Sequence, residues 1–427
     1  MKRRAKRFIA GILGWQVRRL LKKNDIKTIA AAGSIGKTST KLAVAHVLGQ
    51  SFRVRYQKGN YNDIVTIPLV FFGRELKGLF NPFFWLWTFI TNELAIARSY
   101  PYDIVVFEVG TDGPGQIGQF AAYVHADIGI LTAITPEHME YFADLDEVAH
   151  EELGIAGMSD RLLVNKDLIE AKYLKELKKP FLTYATGQAA DFRLDDIKFN
   201  GNEAGFSFYA DGKEVLKSAH QQITEPQLYS VTAAAAVGHL MGMSAETIDA
   251  GIRSIPQVSG RMQHLAGIKD SLLIDDTYNA SPDATKAALD TLYRMEAPQR
   301  IAVLGNMNEL GKYSAQEHTA IGNYVHKNKV DLLVTIGPDA NKYLAPSAEA
   351  KGVRTKTFED PLSAAQFLKG EIKNKAVILV KGSQNKVFAE ETVKQLLAEP
   401  ADASKLVRQS PYWMKRKQQC FPSVKIR

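Results

Sequence analysis

Gly33-Ser34-Ile35-Gly36-Lys37-Thr38 has the residue types and spacing of a phosphate-binding loop. Its glycines let the backbone turn so that N–H groups surround an anion, and a following helix N-terminus adds partial positive charge. A lysine after the second glycine reaches the β- and γ-phosphates, and the next hydroxyl ligates Mg²⁺. Those roles fall on Lys37 and Thr38, with Gly33, Ser34, Gly36 and Ser39 as the cradle. The longer G-x-x-x-x-G-K-T pattern would need glycine where this chain has Ala31, so the match is the shorter G-x-x-G-K-T. A chance turn among small residues is the alternative.

Such a loop works only where a strand delivers it and a helix leaves it. Residues 26–32 are an apolar run with one lysine, and residues 40–48 have helical composition. Buried-type strands follow at 104–110, which carries Glu108, at 128–134, which runs into Pro136-Glu137-His138, and at 161–165. Strands separated by helical stretches predict an α/β fold with a mostly parallel sheet. Ligands in that class sit beyond the C-terminal strand ends. Lys37, Glu108 and His138 all fall there, so they are expected to share one site. The bland alternatives are a loop histidine at 138 and a turn-capping glutamate at 108.

From about 191 to 218, short alternating segments with Asn200-Gly201-Asn202 and Asp211-Gly212 turns predict a small antiparallel insert, and Ala233 to Ala236 a tightly packed helix. Alternation restarts at 271–275, 301–305, 332–337 and 376–381, which predicts a second α/β domain. The expected organisation is a segment at 1–24, a nucleotide-binding domain at 25–260, a second domain at 261–400 and a tail at 401–427.

A chain of 427 residues holds two or three cores. Its single cysteine, Cys420, excludes an internal disulfide and fits a reducing compartment. The net charge is +8, yet residues 1–24 hold nine bases and no acid, and residues 401–427 hold seven bases against Asp402. Removing those +9 and +6 ends leaves the body at −7. An acidic body with two basic ends argues against a nucleic-acid groove and for contact of the ends with something anionic.

Within residues 1–24, Phe8, Ile9, Ile12, Leu13, Trp15, Val17, Leu20 and Leu21 would form one broad helical face edged by Arg and Lys. The interrupted apolar core is unlike a signal peptide. A membrane-surface helix is the preferred reading; a helix packed on the body or a frayed basic arm are the alternatives. The aromatic run at 79–90 is too short to span a bilayer. Burial against the sheet accounts for it. A peripheral membrane face is the alternative, because Trp15, Trp85, Trp87 and Trp413 all fall in this run or the basic ends, and tryptophan favours membrane interfaces.

The motifs, taken together, resemble the Mur ligases, and within them the branch that joins D-alanyl-D-alanine to a muramyl tripeptide. The resemblance rests on the phosphate loop, Glu108-Val109-Gly110, Pro136-Glu137-His138 and Ser259-Gly260-Arg261-Met262-Gln263. It continues through Asp275-Asp276-Thr277-Tyr278-Asn279-Ala280-Ser281-Pro282, Leu304-Gly305-Asn306-Met307-Asn308-Glu309-Leu310-Gly311 and Lys381-Gly382-Ser383. It implies a central ATPase domain and a Rossmann-like C-terminal domain. It also implies a reaction in which ATP phosphorylates a carboxylate and an amine attacks the acyl phosphate, releasing phosphate and ADP. By similarity, Thr38 and Glu108 would hold one Mg²⁺ and His138 would help hold a second. Arg261 and Asn279 would contact nucleotide, and Asp276, Asn306, Lys381 and Ser383 would face the substrate. On the residues alone, Arg261 could instead pair with a nearby acid, and Lys381 could be a surface lysine.

The chain also departs from the pattern. Only about 25 residues precede the loop strand, so the family's N-terminal uridine-nucleotide domain has no counterpart. The basic amphipathic segment in its place points to a lipid-linked acceptor beside a soluble one. Many members carry a carbamylated lysine about fourteen residues after the histidine; Glu152 stands there, supplying the same charge and oxygens on a shorter stem. Alternatively, Glu151 and Glu152 are solvated helix charges. Ser230 replaces a usual Asn, and Gln384 a common Arg. The reading is a monomeric, cytoplasmic, ATP- and Mg²⁺-dependent amide-forming ligase that works at the inner membrane face on a muramyl peptide and an amino acid or dipeptide. The alternatives are a Mur-like ligase for another carboxylate and amine, like folylpolyglutamate or cyanophycin synthetases, and a membrane-tethered scaffold that binds nucleotide without turning it over.

Overall fold

The computed structural model describes residues 2–59, 63–76, 79, 81–111, 113–136, 139–200, 203–221 and 223–422. His138 lies outside them. The chain divides into two units: one of residues 1–135 and 141–255, the other of 136–140 and 256–427. Ile255/Pro256 is thus the main division, a few residues before the boundary expected from sequence.

The first unit is built on β1 (Lys27–Ala32), β2 (Val54–Tyr56), β3 (Ile104–Glu108), β4 (Ala126–Leu131), β5 (Ser159–Asn165), β6 (Leu182–Thr186), β7 (Phe192–Asn200), β8 (Glu203–Ala210) and β9 (Lys213–Gln221). They form one sheet in the order β2-β3-β1-β4-β5-β6-β7-β8-β9. Pairing is parallel from β2 to β7 and antiparallel from β7 to β9. The predicted insert is therefore a continuation of the main sheet: β7 pairs in parallel with β6 and antiparallel with β8.

Side chains of β1 and β3 alternate between two cores, as strand geometry requires. Ile29, Ile104 and Val106 face the helices Lys37–Leu48, Glu225–Leu240 and Ala245–Arg253. Ala30, Ala32, Val105 and Phe107 join the opposite core, with Val17 and Leu20 of the N-terminal helix Lys2–Lys23. A smaller cluster holds Ile9, Ala10, Leu13, Val65, Leu69 and Trp85.

Two expectations need correction here. The helix Pro82–Ala97 buries only Trp85, Thr88, Asn92 and Ile96, and Ile96 alone joins the core that covers the sheet. It packs on the N-terminal helix rather than against the sheet, and Phe83, Leu86, Trp87, Ile90 and Leu94 point outward. Nor do the tryptophans share one environment. Trp85 is buried and donates to the Leu79 carbonyl at 2.8 Å, and Trp413 packs on Phe388 in the second unit.

The second unit has strands β10 (Gln263–Ala266), β11 (Leu272–Asp276), β12 (Arg300–Gly305), β13 (Leu332–Ile336), β14 (Thr355–Phe358) and β15 (Val377–Lys381). Their order is β10-β11-β15-β12-β13-β14, parallel except for β10. Two buried clusters cover its faces. Part of the expected basic tail is folded into this unit as the helix Pro411–Cys420, and Lys417 is buried against Glu390 and Glu391.

Candidate active site

The loop 33–36 leaves the C-terminal end of β1, the strand flanked by β3 and β4. β1 is the point where the strand order reverses, the place beyond whose C-terminal end ligands bind in this class of sheet. Ala31 lies inside β1, paired with Glu108 and Ile130, so the missing first glycine of the longer motif would have been a strand residue. Gly33 (φ 123°) and Gly36 (φ 85°) adopt the backbone that glycine allows without strain. A Cβ on Gly33 would also press on the Ala133 nitrogen at 2.7 Å. Gly36 is the N-cap of the Lys37–Leu48 helix, whose first turn contains Thr38 and Ser39 and opens toward the loop. The loop is held from outside. Thr132 Oγ1 donates to the Ala32 and Ile35 carbonyls at 2.9 and 2.6 Å, and Ser34 Oγ accepts from the Thr135 N–H at 3.0 Å.

Thr38 Oγ1 donates to Glu108 Oε2 at 2.9 Å, which joins the hydroxyl and the carboxylate expected to share Mg²⁺. Glu108 is almost fully buried, and the Gln57 Oε1 accepts its N–H at 2.9 Å. The Lys37 ammonium donates to the Gly33 and Ser34 carbonyls, so it lies folded across the loop. Glu152 is buried and accepts the Gly33 N–H at 2.7 Å. Glu151 is buried too, accepting from the N–H groups of Gly115 and Ile117. Neither glutamate is a solvated helix charge. Lys37, Thr38, Glu108 and Glu152 thus converge on one loop.

Two residues of this site escaped the sequence reading. Lys41 is buried with its Nζ 3.5 Å from Glu108 Oε2, and Gln57 orients the Glu108 backbone. Lys41 stands four residues after Lys37, one helical turn on and hence on the same face, which is the signal that could have found it. Ser230 meets Thr40 Oγ1 at 3.2 Å, behind the loop helix.

In the second unit the C-terminal ends of β11, β15 and β12 bring together the other candidates. Lys381 is nearly buried, and its Nζ donates to Asp276 Oδ2 at 2.6 Å and to the Asn279 carbonyl at 3.0 Å. That excludes the surface-lysine alternative. Ser383 Oγ donates to the Ala280 carbonyl at 3.2 Å and accepts the Asn308 N–H at 2.8 Å, while its own N–H donates to the Asn306 carbonyl. Asn306 Oδ1 accepts the Ala340 N–H at 2.9 Å, pinning the chain after β13. The Arg261 guanidinium lies 4.2 Å from the centre of the Tyr278 ring. Ser383 and Asn306 therefore tie strand-end loops to one another, whereas Asp276 and Lys381 form a charged pair at the strand edge.

Two family models match the chain: the Mur ligase middle domain over residues 89–238, and the Mur ligase glutamate ligase domain over residues 260–384. The chain belongs to the Mur ligase family. Similar relatives are the UDP-N-acetylmuramoyl-tripeptide–D-alanyl-D-alanine ligases of Synechocystis sp. and Bacillus subtilis. The first is 27% identical over 90% of this chain and 77% of the relative, the second 25% identical over 89% and 78%. Among solved structures, MurF from Acinetobacter baumannii superposes with a TM-score of 0.75 at 22% identity, over 91% of this chain and 80% of that one. MurF ligase from Thermotoga maritima in complex with ADP gives 0.74 at 22% identity, over 90% and 83%. Mur ligases are ATP-dependent, ADP-forming ligases.

Among the described residues no group of three His, Cys, Asp or Glu side chains is arranged to hold a metal ion. The Thr38 hydroxyl and Glu108 carboxylate are nonetheless the hard oxygen donors that Mg²⁺ prefers. The glycine turn and the helix N-terminus at Lys37 are the elements of a polyphosphate cradle, with the Gly33 N–H held by Glu152.

Proposed function

We propose that this Mur ligase activates a muramyl-peptide carboxylate with ATP and joins it to D-alanyl-D-alanine or a similar amine. A carboxylate is a poor electrophile. Transfer of the γ-phosphoryl group to one of its oxygens makes an acyl phosphate and ADP. The amine then attacks the acyl carbon, phosphate leaves with the former carboxylate oxygen, and the amine gives up a proton as the amide forms. Such transfer relies on positioning and charge stabilisation more than on covalent help from the protein.

The observation that carries the reading is the convergence of Lys37, Thr38 and Glu108 at the end of β1 in a chain with both Mur ligase domains. Lys37 would leave the Gly33 carbonyl and neutralise the transferring phosphoryl group. Thr38 and Glu108 would hold Mg²⁺, with His138 and Glu152 near a second ion; bound Mg²⁺ would supply charge neutralisation on the phosphate oxygens. Glu152 would also fix the loop through the Gly33 N–H. Arg261 and Asn279 are assigned to the nucleotide, and Asp276 and Lys381 to the amine or acceptor. The relatives' names support D-alanyl-D-alanine and a muramyl tripeptide as the substrate class. The acceptor is soluble or lipid-linked, and the lone Cys420 supports a reducing, cytoplasmic setting.

The test is phosphate release from ATP with Mg²⁺, D-alanyl-D-alanine and soluble or lipid-linked muramyl peptides. Acceptor-dependent release is expected in the wild type. Lys37→Ala should lower it on the order of 10²–10³-fold, as loss of one charge-stabilising donor does. Glu152→Ala should lower it as well, with a raised Mg²⁺ requirement. ATP binding without release under every substrate pairing would overturn the ligase reading in favour of a scaffold.

A further inference from the structure

We propose that the outer face shared by the Lys2–Lys23 and Pro82–Ala97 helices docks on an anionic lipid bilayer. This inference is independent of the ligase reading, because it rests on a surface remote in character from the phosphate loop and is read by binding alone.

The two helices lie flank to flank. Gln16 Nε2 donates to the Phe89 carbonyl at 3.0 Å and to Glu93 Oε1 at 2.9 Å, and Asn92 Nδ2 donates to Gln16 Oε1 at 2.9 Å. Lys23 donates to the Ile96 and Ala97 carbonyls, capping the C-terminal end of the second helix with positive charge. These polar groups tie the helices together beside the buried cluster of Ile9, Leu13 and Trp85, and further large apolar groups occupy the outside. Phe83, Leu86, Trp87, Ile90 and Leu94 recur at helical spacing and are each at least half exposed. Phe8 and Trp15, seven residues apart and so on one line of the N-terminal helix, are 71% and 50% exposed. Scattered apolar residues on a surface are ordinary, but a contiguous stripe of this size marks an interaction face.

Charge identifies the occupant. The N-terminal helix has no acid, and Arg4, Arg7, Arg18, Arg19 and Lys22 are exposed beside Phe8 and Trp15. The one acid of the second helix, Glu93, is paired with Arg19. Both exposed indoles carry a guanidinium: Arg19 at 4.4 Å from Trp15 and Arg74 at 4.2 Å from Trp87. A second copy of this chain would set nine bases against nine, so self-association is opposed by charge. Anionic headgroups over an apolar interior match both features at once, with indole rings at the boundary. No helix of the described residues is long and apolar enough to cross a membrane, which makes the contact peripheral. The helix of 16 residues, about 24 Å long, would lie in the plane of the surface.

The full chain would be sedimented with vesicles of phosphatidylcholine, alone or mixed with phosphatidylglycerol. Binding to the mixed vesicles is expected, weakened by salt, with a blue shift of tryptophan emission that Trp87→Phe diminishes. Leu86→Ser/Ile90→Ser and Arg7→Gln/Lys22→Gln should each lower the partition on the order of 10-fold or more. All four positions are outside the cores, and unchanged circular dichroism would show that the fold persists. Should either double variant fail to fold, the wild-type comparison of the two vesicle types and the Trp87→Phe emission still decide. Absence of binding to the mixed vesicles at low salt would overturn the proposal, as would binding that neither variant weakens. A concentration-dependent dimer without vesicle binding would overturn it too, assigning the face to a second copy.

Discussion

His264 and Asp275 illustrate what burial does to a titratable group. His264 lies in β10 with neither ring nitrogen hydrogen-bonded, and burial pushes its pKa down to about 4. Asp275, fully buried in the neighbouring strand, is pushed up to about 7 by burial, with Thr277 hydrogen bonds opposing the shift and Glu390 and Asp276 reinforcing it. The signs are opposite. A histidine with a depressed folded pKa loses stability as pH falls from 6.5 toward 4, because the unfolded state takes the proton first. A carboxylic acid with a raised folded pKa loses stability as pH rises from 3.8 toward 7, because the unfolded state releases it first. Between pH 4 and 6.5 the two slopes offset. His264→Leu should leave a second unit whose urea midpoint falls with rising pH across that window, and Asp275→Asn one whose midpoint falls with falling pH. Equal slopes in wild type and both variants would refute the assignment. Lys37, Thr38 and Glu108 were legible in the sequence because a loop and a strand end are local features. The Glu152 bond to the Gly33 N–H joins residues 119 apart, which spacing cannot show, whereas Lys41, one helical turn past Lys37, lay within its reach.

Elements were legible where periodicity was strong. The long apolar strands were found, whereas β10 and β14 were missed: each has only four residues, lies at a sheet edge and lacks a run of branched apolar side chains. The two outer helices failed for another reason. Residues 79–90 are apolar nearly all round, so no pattern says which side is buried, and Asn92 supplies the decisive contact just beyond the run. Gln16 and Asn92 are both buried and share one hydrogen bond, Asn92 Nδ2 to Gln16 Oε1, while Asn92 Oδ1 accepts from Arg74. Gln16→Leu alone strands the Asn92 Nδ2 donor and should cost about 1–3 kcal/mol. Gln16→Leu with Asn92→Leu should cost less than the sum of the single changes, with a coupling on the order of 1 kcal/mol in a double-mutant cycle. Strict additivity would mean that the amides do not hold the seam.

At the scale of the whole molecule, each of the two sheets draws all its strands from one unit, and each unit has its own buried clusters. That organisation allows the units to respond separately to changes confined to one of them. In the first, nucleotide binding at the phosphate loop stabilises the folded state by mass action, about 2.7 kcal/mol at a hundredfold excess over Kd. In the second, the buried Lys417 donates to Glu391 at 2.6 Å and lies 2.9 Å from Glu390, which Arg408 also holds at 2.8 Å. Burial alone would raise the Glu390 pKa; Arg408 and Lys417 instead hold it below the usual carboxylate range. The C-terminal bases that composition assigned to an anionic surface thus include two that neutralise the interior of their own unit. Lys417→Met removes the close partner of Glu391 while leaving its carboxylate buried, a loss of about 3–5 kcal/mol for a broken buried pair. In scanning calorimetry, ADP with Mg²⁺ should raise one transition, and Lys417→Met should lower the other and leave the ADP-sensitive transition in place. If both perturbations displaced a single transition, the units would unfold as one cooperative body, and the tail helix would support the phosphate loop as well as its own sheet.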